Sequence, residues 1–471
     1  MSTPASLPSL QAKATLAPAL NSDTARLKDT CSVCFGRRQL AAGPEEQIVL
    51  RACTGCQVVK YCDKARKTLP PRACQAKDWK FAHSRECAIY KNLQPKVLPI
   101  NARALLRVVV RCGMKKNSYT AEELDVFRSL ETHIREMREG DKAQFERIAL
   151  TSKAVKAYSG TDFEEEVLSA FGAKLDVNSF NLTNALYDRI GLYLHPYAAL
   201  LNHSCDYNAV PGFDGDELHI KAIRPIAKDE QITISYIDTT YPTRTRQKEL
   251  KERYFFTCQC SKCSSINKPP EPAGDAAKDA YALLESGNAG ADKTKLDAIT
   301  KLLIASRLPK TQQPFVSILD EVIAAEISDS YKDAFLNSAL RFSRMDPIVY
   351  PHPSHPLRAV HAWTLAKITV HISQVDPGLT IPEFIKGSGQ ISLDYGLLAW
   401  TLLAELHAKE DQYATVPGFR GMVKRAFAEV HGEFMRNGMD PRRMGEDIRA
   451  EWGKLGRIVN GYWGVAMGED T

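Results

Sequence analysis

Long hydrophobic runs are absent from this 471-residue sequence. No apolar stretch approaches the ~20 residues that a membrane-spanning helix needs, which argues against a membrane protein. Residues 1–30 contain no glycine, show no sustained helical or strand period, and lack the uninterrupted apolar centre of a signal peptide. We therefore predict an intracellular protein in which residues 1–30 are mostly disordered or loosely attached.

Glycine-rich nucleotide loops are also missing, since none follows a predicted strand. Short strands are predicted at Leu218–Ile223 and Gln231–Ile237, with a turn at Pro225–Glu230 between them and no βαβ alternation. Both observations argue against a Rossmann-type methyltransferase. The composition, with 44% hydrophobic and 25% charged residues, is that of an ordinary globular protein. The length allows two to four domains.

Cysteine is scarce outside two clusters. Seven of the 12 cysteines lie between Cys31 and Cys87 and three between Cys258 and Cys263, which leaves only Cys112 and Cys205 elsewhere. In a reducing compartment, clusters at two-residue spacing favour metal sites over disulfides.

The first cluster offers eight nitrogen and sulfur ligands, enough for two tetrahedral zinc sites. They are Cys31, Cys34, Cys53, Cys56, Cys62, Cys74, His83 and Cys87. The cluster ends in His-x3-Cys and has no Cys-His pair in its middle, so it fits a RING-type ubiquitin ligase badly. A segment this short could hardly fold without its metal. The second cluster is one ligand short of a zinc site, which Cys205 can complete.

Positive charge is concentrated near the first cluster. Between Lys60 and Arg85, eight basic residues stand against two acidic ones, an excess equal to the +6 net charge of the whole chain. A solvated surface of the zinc module explains this excess, and attraction to nucleic acid or to an acidic partner is the alternative.

Helical periodicity covers residues 98–172, where Thr120-Ala-Glu-Glu predicts a helix start. A proline-rich linker at Lys268–Gly274 then precedes a second helical region. Helices are predicted there at Ala280–Gly287, Leu319–Ile327, Pro356–Val375 and Tyr395–Ala408.

Three motifs together point to one family. Asn202-His203-Ser204-Cys205 follows an apolar run, and Ser235-Tyr236-Ile237-Asp238 ends a strand pattern ahead of the second cysteine cluster. With Gln75-Ala76-Lys77-Asp78-Trp79-Lys80 in the zinc segment, the chain resembles the SET and MYND domain family of protein-lysine methyltransferases from about residue 31 onward.

The resemblance implies an α+β fold with a SET-type β core of short strands, a helical insert, a MYND zinc module, a post-SET zinc knuckle and an all-helical C-terminal domain. It divides the chain into an N-terminal segment (1–30), the MYND module (31–87), the SET domain (88–257), the post-SET cysteines (258–263), a linker (264–276) and a helical, TPR-like domain (277–471).

The resemblance also implies a function and its residues. The chain would be an S-adenosylmethionine-dependent protein-lysine N-methyltransferase, acting on histone or non-histone protein in the nucleus and cytoplasm. Tyr236 would be the central catalytic hydroxyl, and Tyr254 would line the lysine channel. The cofactor residues would be Asn178, Leu201, Asn202, His203 and Phe256. Three zinc ions would be held by Cys31, Cys34, Cys62 and Cys74, by Cys53, Cys56, His83 and Cys87, and by Cys205, Cys258, Cys260 and Cys263.

The sequence departs from the family pattern in three places. An extra loop stretches the spacing between Cys62 and Cys74. Tyr207 stands where the family tends to have proline, and we expect a looser turn there. The first glycine is Gly36, whereas the family begins with a strand pair carrying Gly-x-Gly ahead of the MYND cysteines.

We expect from the last departure either a sequence that starts after the family's usual beginning or a cofactor pocket without one wall. The alternative function is therefore a catalytically impaired scaffold. Such a scaffold would recruit partners, including proline-rich peptides, through the MYND module.

Overall fold

The computed structural model describes residues 9–12, 19–22, 24–41, 48–62, 73–114, 119–265, 274–286, 292–306, 308–382, 384 and 389–467. Short strands lie in the first half of the chain and are followed by a long, mainly helical region, which confirms the predicted α+β class. Among the helices so described, none is both long and apolar enough to cross a membrane.

The prediction of a mostly disordered N-terminal segment is wrong for two strands, β1 (Ser9–Ala12) and β2 (Ala19–Ser22). Strand β1 pairs antiparallel with Glu217–Ala222, and β2 pairs antiparallel with Arg189–Leu194. Their backbone groups pair with two open sheet edges, and such pairing requires no side-chain period that a sequence could reveal. A pair of strands therefore precedes the zinc module without carrying glycine. Residues 1–8 and 13–18 lie outside the described residues.

The zinc-rich segment contains two short paired strands and three helices. They are α1 (Arg37–Ala41), β3 (Leu50–Ala52), β4 (Lys60–Cys62), α2 (Ala73–Asp78) and α3 (Ser84–Leu93). Helix α2 continues into α3 through one wider π-type turn at Trp79–His83, which turns the His83 side chain into the interior.

Five helices form the insert that precedes the β core. They are α4 (Ile100–Cys112), α5 (Ala121–Ser129), α6 (Ile134–Gly140), α7 (Lys142–Ser159) and α8 (Glu165–Asn178). The predicted helix start is confirmed, because Thr120 and Glu123 cap α5 reciprocally. The buried residues of α4 and α8 share one hydrophobic core with the zinc segment. The two regions are therefore packed as a single unit.

The β core has six strands after the insert, followed by two helices. They are β5 (Phe180–Thr183), β6 (Arg189–Leu194), β7 (Asn202–His203), β8 (Ala209–Asp214), β9 (Glu217–Ala222), β10 (Thr233–Ile234), α9 (Thr243–Tyr254) and α10 (Ser261–Ser264). The sheets have the orders β1-β9-β8, β2-β6-β5 and β10-β7.

The first predicted strand is confirmed as β9, but the second is much shorter than predicted. Strand β10 covers only Thr233 and Ile234, because its parallel partner β7 has two residues. Immediately afterwards the Ser235 hydroxyl donates to the Ile237 carbonyl at 2.6 Å, which bends the chain away from the sheet. Tyr236 therefore lies in a bend beyond the strand.

The C-terminal region is helical apart from one small hairpin. Its elements are α11 (Asp275–Glu285), α12 (Lys293–Ala305), α13 (Phe315–Asp329), α14 (Tyr331–Leu340), α15 (Asp346–Val349), α16 (Pro356–Val375), β11 (Thr380–Pro382), β12 (Gln390–Ser392), α17 (Tyr395–Ala408), α18 (Pro417–Arg436) and α19 (Gly445–Met467). All four helices predicted in this region are present, two of them with the predicted bounds. Residues 266–273 of the predicted linker lie outside the described part of the chain.

The C-terminal helices pack against the β core. The Tyr187 hydroxyl donates to the Ala414 carbonyl at 3.2 Å, and Val210 and Ile223 bury the Ala414 side chain. Arg37, from the zinc segment, forms an ion pair with Asp214 of β8 at 3.1 Å. The Ala414 contacts hold the helical region beside the β core, and the ion pair holds the zinc segment to the same strands.

Candidate active site and metal centres

The 12 predicted zinc ligands come together in three groups of four, and within each group the ligand atoms lie within 4.8 Å of one another. The groups are Cys31, Cys34, Cys62 and Cys74; Cys53, Cys56, His83 and Cys87; and Cys205, Cys258, Cys260 and Cys263. The first two groups interleave along the chain in the way that the resemblance implies. We call these two the module clusters and the third the active-site cluster.

The sulfur spacings fit tetrahedral zinc. Zn–S bonds of about 2.3 Å give S···S edges of about 3.8 Å in a regular tetrahedron. The Sγ atoms of Cys34 and Cys62 are 3.7 Å apart, those of Cys62 and Cys74 are 3.3 Å apart, and those of Cys205 and Cys263 are 3.5 Å apart. Cys74 thus lies within its group despite the stretched spacing, whose residues 63–72 are outside the described ranges.

Arginines offset the charge that these groups carry as thiolates. Four thiolates around Zn²⁺ leave a net charge of −2, which a nearby cation stabilises. Arg38 donates to the Sγ of Cys62 at 3.6 Å, and Arg246 donates to the Sγ of Cys263 at 3.6 Å. Arg246 lies on helix α9, so its bond to Cys263 ties this helix to the active-site cluster. It also donates to the Tyr241 carbonyl at 2.7 Å.

His83 is oriented for ligation through Nε2. This atom is 3.4 Å from the Sγ of Cys53 and 3.6 Å from the Sγ of Cys56, while Nδ1 lies 3.5 Å from a Glu86 carboxylate oxygen. A carboxylate next to Nδ1 favours the tautomer with a proton there and leaves Nε2 free for a metal. Glu86 is held in turn by two hydrogen bonds of 2.7 Å from Arg107.

The Asn202–Cys205 loop lies directly beside strand β10. Asn202 and His203 pair with Thr233 and Ile234, and the Ser204 backbone N–H donates to the Ile234 carbonyl at 3.0 Å. The loop begins after the short helical turn Ala198–Leu200 and ends at Cys205, a predicted zinc ligand. It is therefore fixed at both ends.

The Tyr236 hydroxyl is held by the backbone of this loop. It donates to the Leu201 carbonyl at 2.5 Å, while the Tyr236 backbone N–H donates to Nδ1 of His203 at 3.0 Å. Burial, with a smaller contribution from nearby Tyr254, raises the pKa of Tyr236 to about 12. The hydroxyl is therefore neutral and a hydrogen-bond donor at neutral pH.

Aromatic rings surround Tyr236. Its ring centroid is 5.0 Å from that of Tyr254, 5.3 Å from that of His203 and 6.5 Å from that of Phe256, which is perpendicular to it. The Tyr254 hydroxyl donates to the Tyr236 carbonyl at 3.2 Å. This arrangement is a partly buried aromatic wall that stands next to the active-site cluster.

Comparison with known proteins identifies the family to which the chain belongs. The model of the SET domain family matches residues 45–237. Histone-lysine N-methyltransferase SMYD3 of Mus musculus is 30% identical over 359 residues, which are 72% of this chain and 80% of that protein. The chain belongs to the SET and MYND domain family.

Other family members match over shorter lengths. SET domain and MYND-type zinc finger protein 6 of Schizosaccharomyces pombe is 32% identical over 263 residues, 54% of this chain and 47% of that protein. N-lysine methyltransferase SMYD2-A of Danio rerio is 29% identical over 247 residues, which cover 50% of this chain and 51% of its own length.

Six of the seven site residues expected from the SET and MYND domain family lie together: Leu201, Asn202, His203, Tyr236, Tyr254 and Phe256. Asn178 is not joined to them by any contact among the described residues. Its side-chain nitrogen donates to the carbonyls of Glu131 and Lys174, each at 2.9 Å. Its oxygen is the side-chain atom left for a ligand.

Sequence reasoning missed several residues that build this SET and MYND domain site. Arg246 lies one helical turn from Leu250, the buried residue of α9 that packs in the active-site cluster's core, so its spacing on the helix was a usable signal. His133 stacks on Phe255, the neighbour of Phe256, with centroids 4.8 Å apart. No local pattern marked that pair, because the two rings are distant in sequence.

The turn at Tyr207 is well held, contrary to the expectation of a looser turn. The Asn208 amide nitrogen donates to the Glu230 carboxylate at 3.1 Å and to the Gln231 carbonyl at 2.9 Å. Its amide oxygen accepts from the Thr233 N–H at 2.9 Å. Asn208 therefore fixes the turn even though the residue before it is tyrosine and not proline.

Proposed function

We propose that the chain is an S-adenosylmethionine-dependent protein-lysine N-methyltransferase that acts on histone or non-histone protein. One observation carries the proposal: the Tyr236 hydroxyl is fixed on the Leu201 carbonyl, inside an aromatic wall that the active-site cluster ties to the Asn202 loop. Family membership and relatives named lysine methyltransferases add support.

The residues on this wall fit the proposed cofactor chemically. Asn202 is exposed, and its side-chain amide makes no hydrogen bond to another described residue, so it is free for a polar ligand. The Phe256 ring is partly exposed beside His203 and offers an aromatic face to an adenine. We assign Asn178 to the same pocket through its side-chain oxygen alone. Bound S-adenosylmethionine would supply the electrophilic methyl group.

The protein's own residues would prepare the amine. A free lysine has a pKa near ~10.4, so the ammonium must lose a proton before its nitrogen can attack. The rings of Tyr236 and Tyr254 would surround the side chain, and the resulting desolvation favours the neutral amine. The ammonium proton would leave to solvent, and the two rings would hold the neutral nitrogen ready to accept the methyl group.

Tyr236 would orient the reacting groups and would not act as a base. With a pKa of about 12, its hydroxyl keeps its proton at neutral pH and cannot accept one from the substrate. Its contribution is position, because a near-linear arrangement of amine, methyl and sulfur lowers the barrier strongly.

We further propose that the chain binds three zinc ions and that it is divided into the six parts given above. We also propose that it resides in the nucleus and cytoplasm. A proline-rich ligand of the MYND module and a nucleic-acid contact of the basic stretch stay predictions. In the part of the chain that the structure describes, no observation favours a catalytically impaired scaffold over an enzyme.

The test is transfer of labelled methyl groups from S-adenosylmethionine to histones and to lysine peptide arrays. Tyr236→Phe should lower the rate by about 100-fold, since it removes the hydroxyl and keeps the ring. Tyr193→Phe is the matched control, because Tyr193 is a buried tyrosine of the same core whose hydroxyl has no partner among the described residues. Retained transfer in Tyr236→Phe, with three zinc ions bound, would remove Tyr236 from this role.

A further inference from the structure

The segment that follows the catalytic tyrosine has no sheet to hold it. Strand β10 ends at Ile234, and the residues from Tyr236 to Thr240 run as bends and turns towards helix α9. The position of the Tyr236 hydroxyl depends on this backbone. Within the segment, an Asp238 carboxylate oxygen accepts from the Thr240 N–H at 2.8 Å and from the Thr240 hydroxyl at 2.6 Å. Contacts from elsewhere in the fold hold this turn in place.

Gln313, just before helix α13 of the C-terminal region, makes such contacts. Its side-chain nitrogen lies 3.2 Å from the Asp238 carboxylate and 3.1 Å from the Thr240 hydroxyl. The same nitrogen is 2.7 Å from the Ser317 hydroxyl, which fixes the amide on its own helix. Gln313 is only 3% exposed, so its side chain is held on the protein side of these bonds, although Asp238 is exposed.

The second contact uses the residue that departs from the family pattern. The Tyr207 hydroxyl lies 2.9 Å from Nε2 of His355. His355 caps helix α16 by accepting the Leu357 N–H on Nδ1, so its proton is on Nε2, which donates to Tyr207. Tyr350 stacks on the His355 ring at 4.4 Å and keeps it in place.

The two contacts converge on one segment. The Thr239 side chain lies beside the Tyr207 hydroxyl, and the Thr240 hydroxyl accepts a hydrogen bond from Gln313. Lys262 of the active-site cluster's loop donates to the Thr239 carbonyl at 3.0 Å. A proline at position 207 has no hydroxyl to offer, so this arrangement is available here because of the tyrosine.

We propose that Gln313 and the Tyr207–His355 pair form a clamp by which the C-terminal helical region positions Tyr236. Gln313 is a positioning residue: it acts through Asp238 and Thr240 and does not touch substrate. The proposal rests on the role given to Tyr236 above. A displacement of the hydroxyl by about 1 Å is enough to lower a transfer rate strongly, so the clamp contributes to catalysis although the C-terminal region supplies none of the proposed reacting groups.

The decisive experiment compares Gln313→Ala with Gln312→Ala in the full-length, zinc-loaded protein. Gln312 is adjacent, similarly buried at 7% exposure, and its side-chain nitrogen has no partner among the described residues. Both variants remove the same atoms from the same region. Only Gln313→Ala removes side-chain hydrogen bonds to the segment after Tyr236. The bond from the Gln313 backbone N–H to the Thr240 carbonyl, at 3.5 Å, is present in both variants.

Two readouts are measured on both variants. Amide hydrogen exchange over residues 236–241 should be about 10-fold faster in Gln313→Ala and unchanged in Gln312→Ala. The kcat for methyl transfer should fall about 10-fold in Gln313→Ala alone, with KM for peptide and for S-adenosylmethionine within about twofold of the wild type. Gln313→Glu should be slower still, because it turns a carboxylate towards Asp238.

Equal exchange rates over residues 236–241 in the two variants would overturn the clamp, as would an unchanged kcat in folded Gln313→Ala. If Gln313→Ala does not fold, Tyr207→Phe provides the same test, since it removes one hydroxyl and keeps the ring. Hydrogen exchange needs no enzymatic activity. A wild type without methyl transfer would therefore count against the proposed function, while the exchange result would still decide the clamp.

Discussion

The module clusters and the active-site cluster offer similar metal ligands but are attached to the fold in different ways. The module clusters lie against helix α4, where Arg107 pairs with Glu86 at 2.7 Å and with Asp78 at 3.1 Å, and Asp78 accepts from the Tyr61 hydroxyl at 2.7 Å. The active-site cluster has no comparable set of buried ion pairs among the described residues. It joins the Asn202 loop directly to the residues after Phe256.

This difference predicts a division of labour between the metal sites. The module and the helical insert share one hydrophobic core, so losing a module zinc should reduce the stability of that unit. The active-site cluster connects two distant parts of the chain at the aromatic wall, so losing its zinc should reduce chemistry first. The comparison therefore predicts that the same ligand chemistry supports stability in one place and the geometry of the candidate site in another.

The largest effect is expected from single ligand replacements in the two kinds of site. Cys263→Ser and Cys87→Ser should each reduce the zinc content from three ions to two, measured by mass spectrometry. Cys263→Ser should lower methyl transfer by on the order of 10³-fold, because the two loops around Tyr236 lose their connection. Cys87→Ser should mainly lower the melting temperature. Equal losses of activity at a temperature where both variants are folded would break the comparison.

A smaller effect is expected where the module is joined to the insert. Arg107→Met leaves the buried carboxylates of Asp78 and Glu86 without their cation, which should cost about 3–5 kcal/mol of unfolding free energy. Methyl transfer per folded molecule should change little. Denaturant unfolding gives the free energy, and Arg128→Met, on an exposed part of α5, is the control with an effect near zero. A drop in activity without a loss of stability would contradict the division.

The smallest effect concerns pH. Burial raises the pKa of Tyr236 to about 12, so the neutral hydroxyl persists and its share of the folding stability is lost only as pH rises from about 10 to 12. Single-turnover rates should rise with pH as the amine deprotonates, with no decline that belongs to Tyr236 below about pH 11. A decline of the single-turnover rate with a midpoint near pH ~10, absent from Tyr236→Phe, would show that burial does not raise the pKa of Tyr236.

Much of this fold could be predicted, because it depends on local sequence patterns and on the number of metal ligands in the chain. Helices α16 and α17 have the predicted bounds, since a proline opens the first and both are long runs of mainly apolar residues. The cysteine clusters could be recognised from their spacing, and the resemblance to the family supplied their division into three groups of four. Strand β9 was recognisable from its alternating side chains.

The remainder depends on contacts between distant parts of the chain. Strands β1 and β2 exist because two sheet edges were open, and their own residues show no period. Gln313 meets Asp238 across 75 positions, and nothing around either residue indicates the other. Tyr207 was expected to weaken a turn, yet the C-terminal helices give its hydroxyl a partner that the sequence did not show.

Isothermal titration calorimetry of the purified, zinc-loaded protein with S-adenosylmethionine tests the central claim most directly. We expect saturable binding that Asn202→Ala weakens at least about 10-fold, because the cofactor then loses its polar contact with the exposed amide beside His203. Asn181→Ala, an exposed asparagine of strand β5, should leave the affinity unchanged. Absence of binding by a folded protein with three zinc ions would contradict the assignment of this site to methyl transfer.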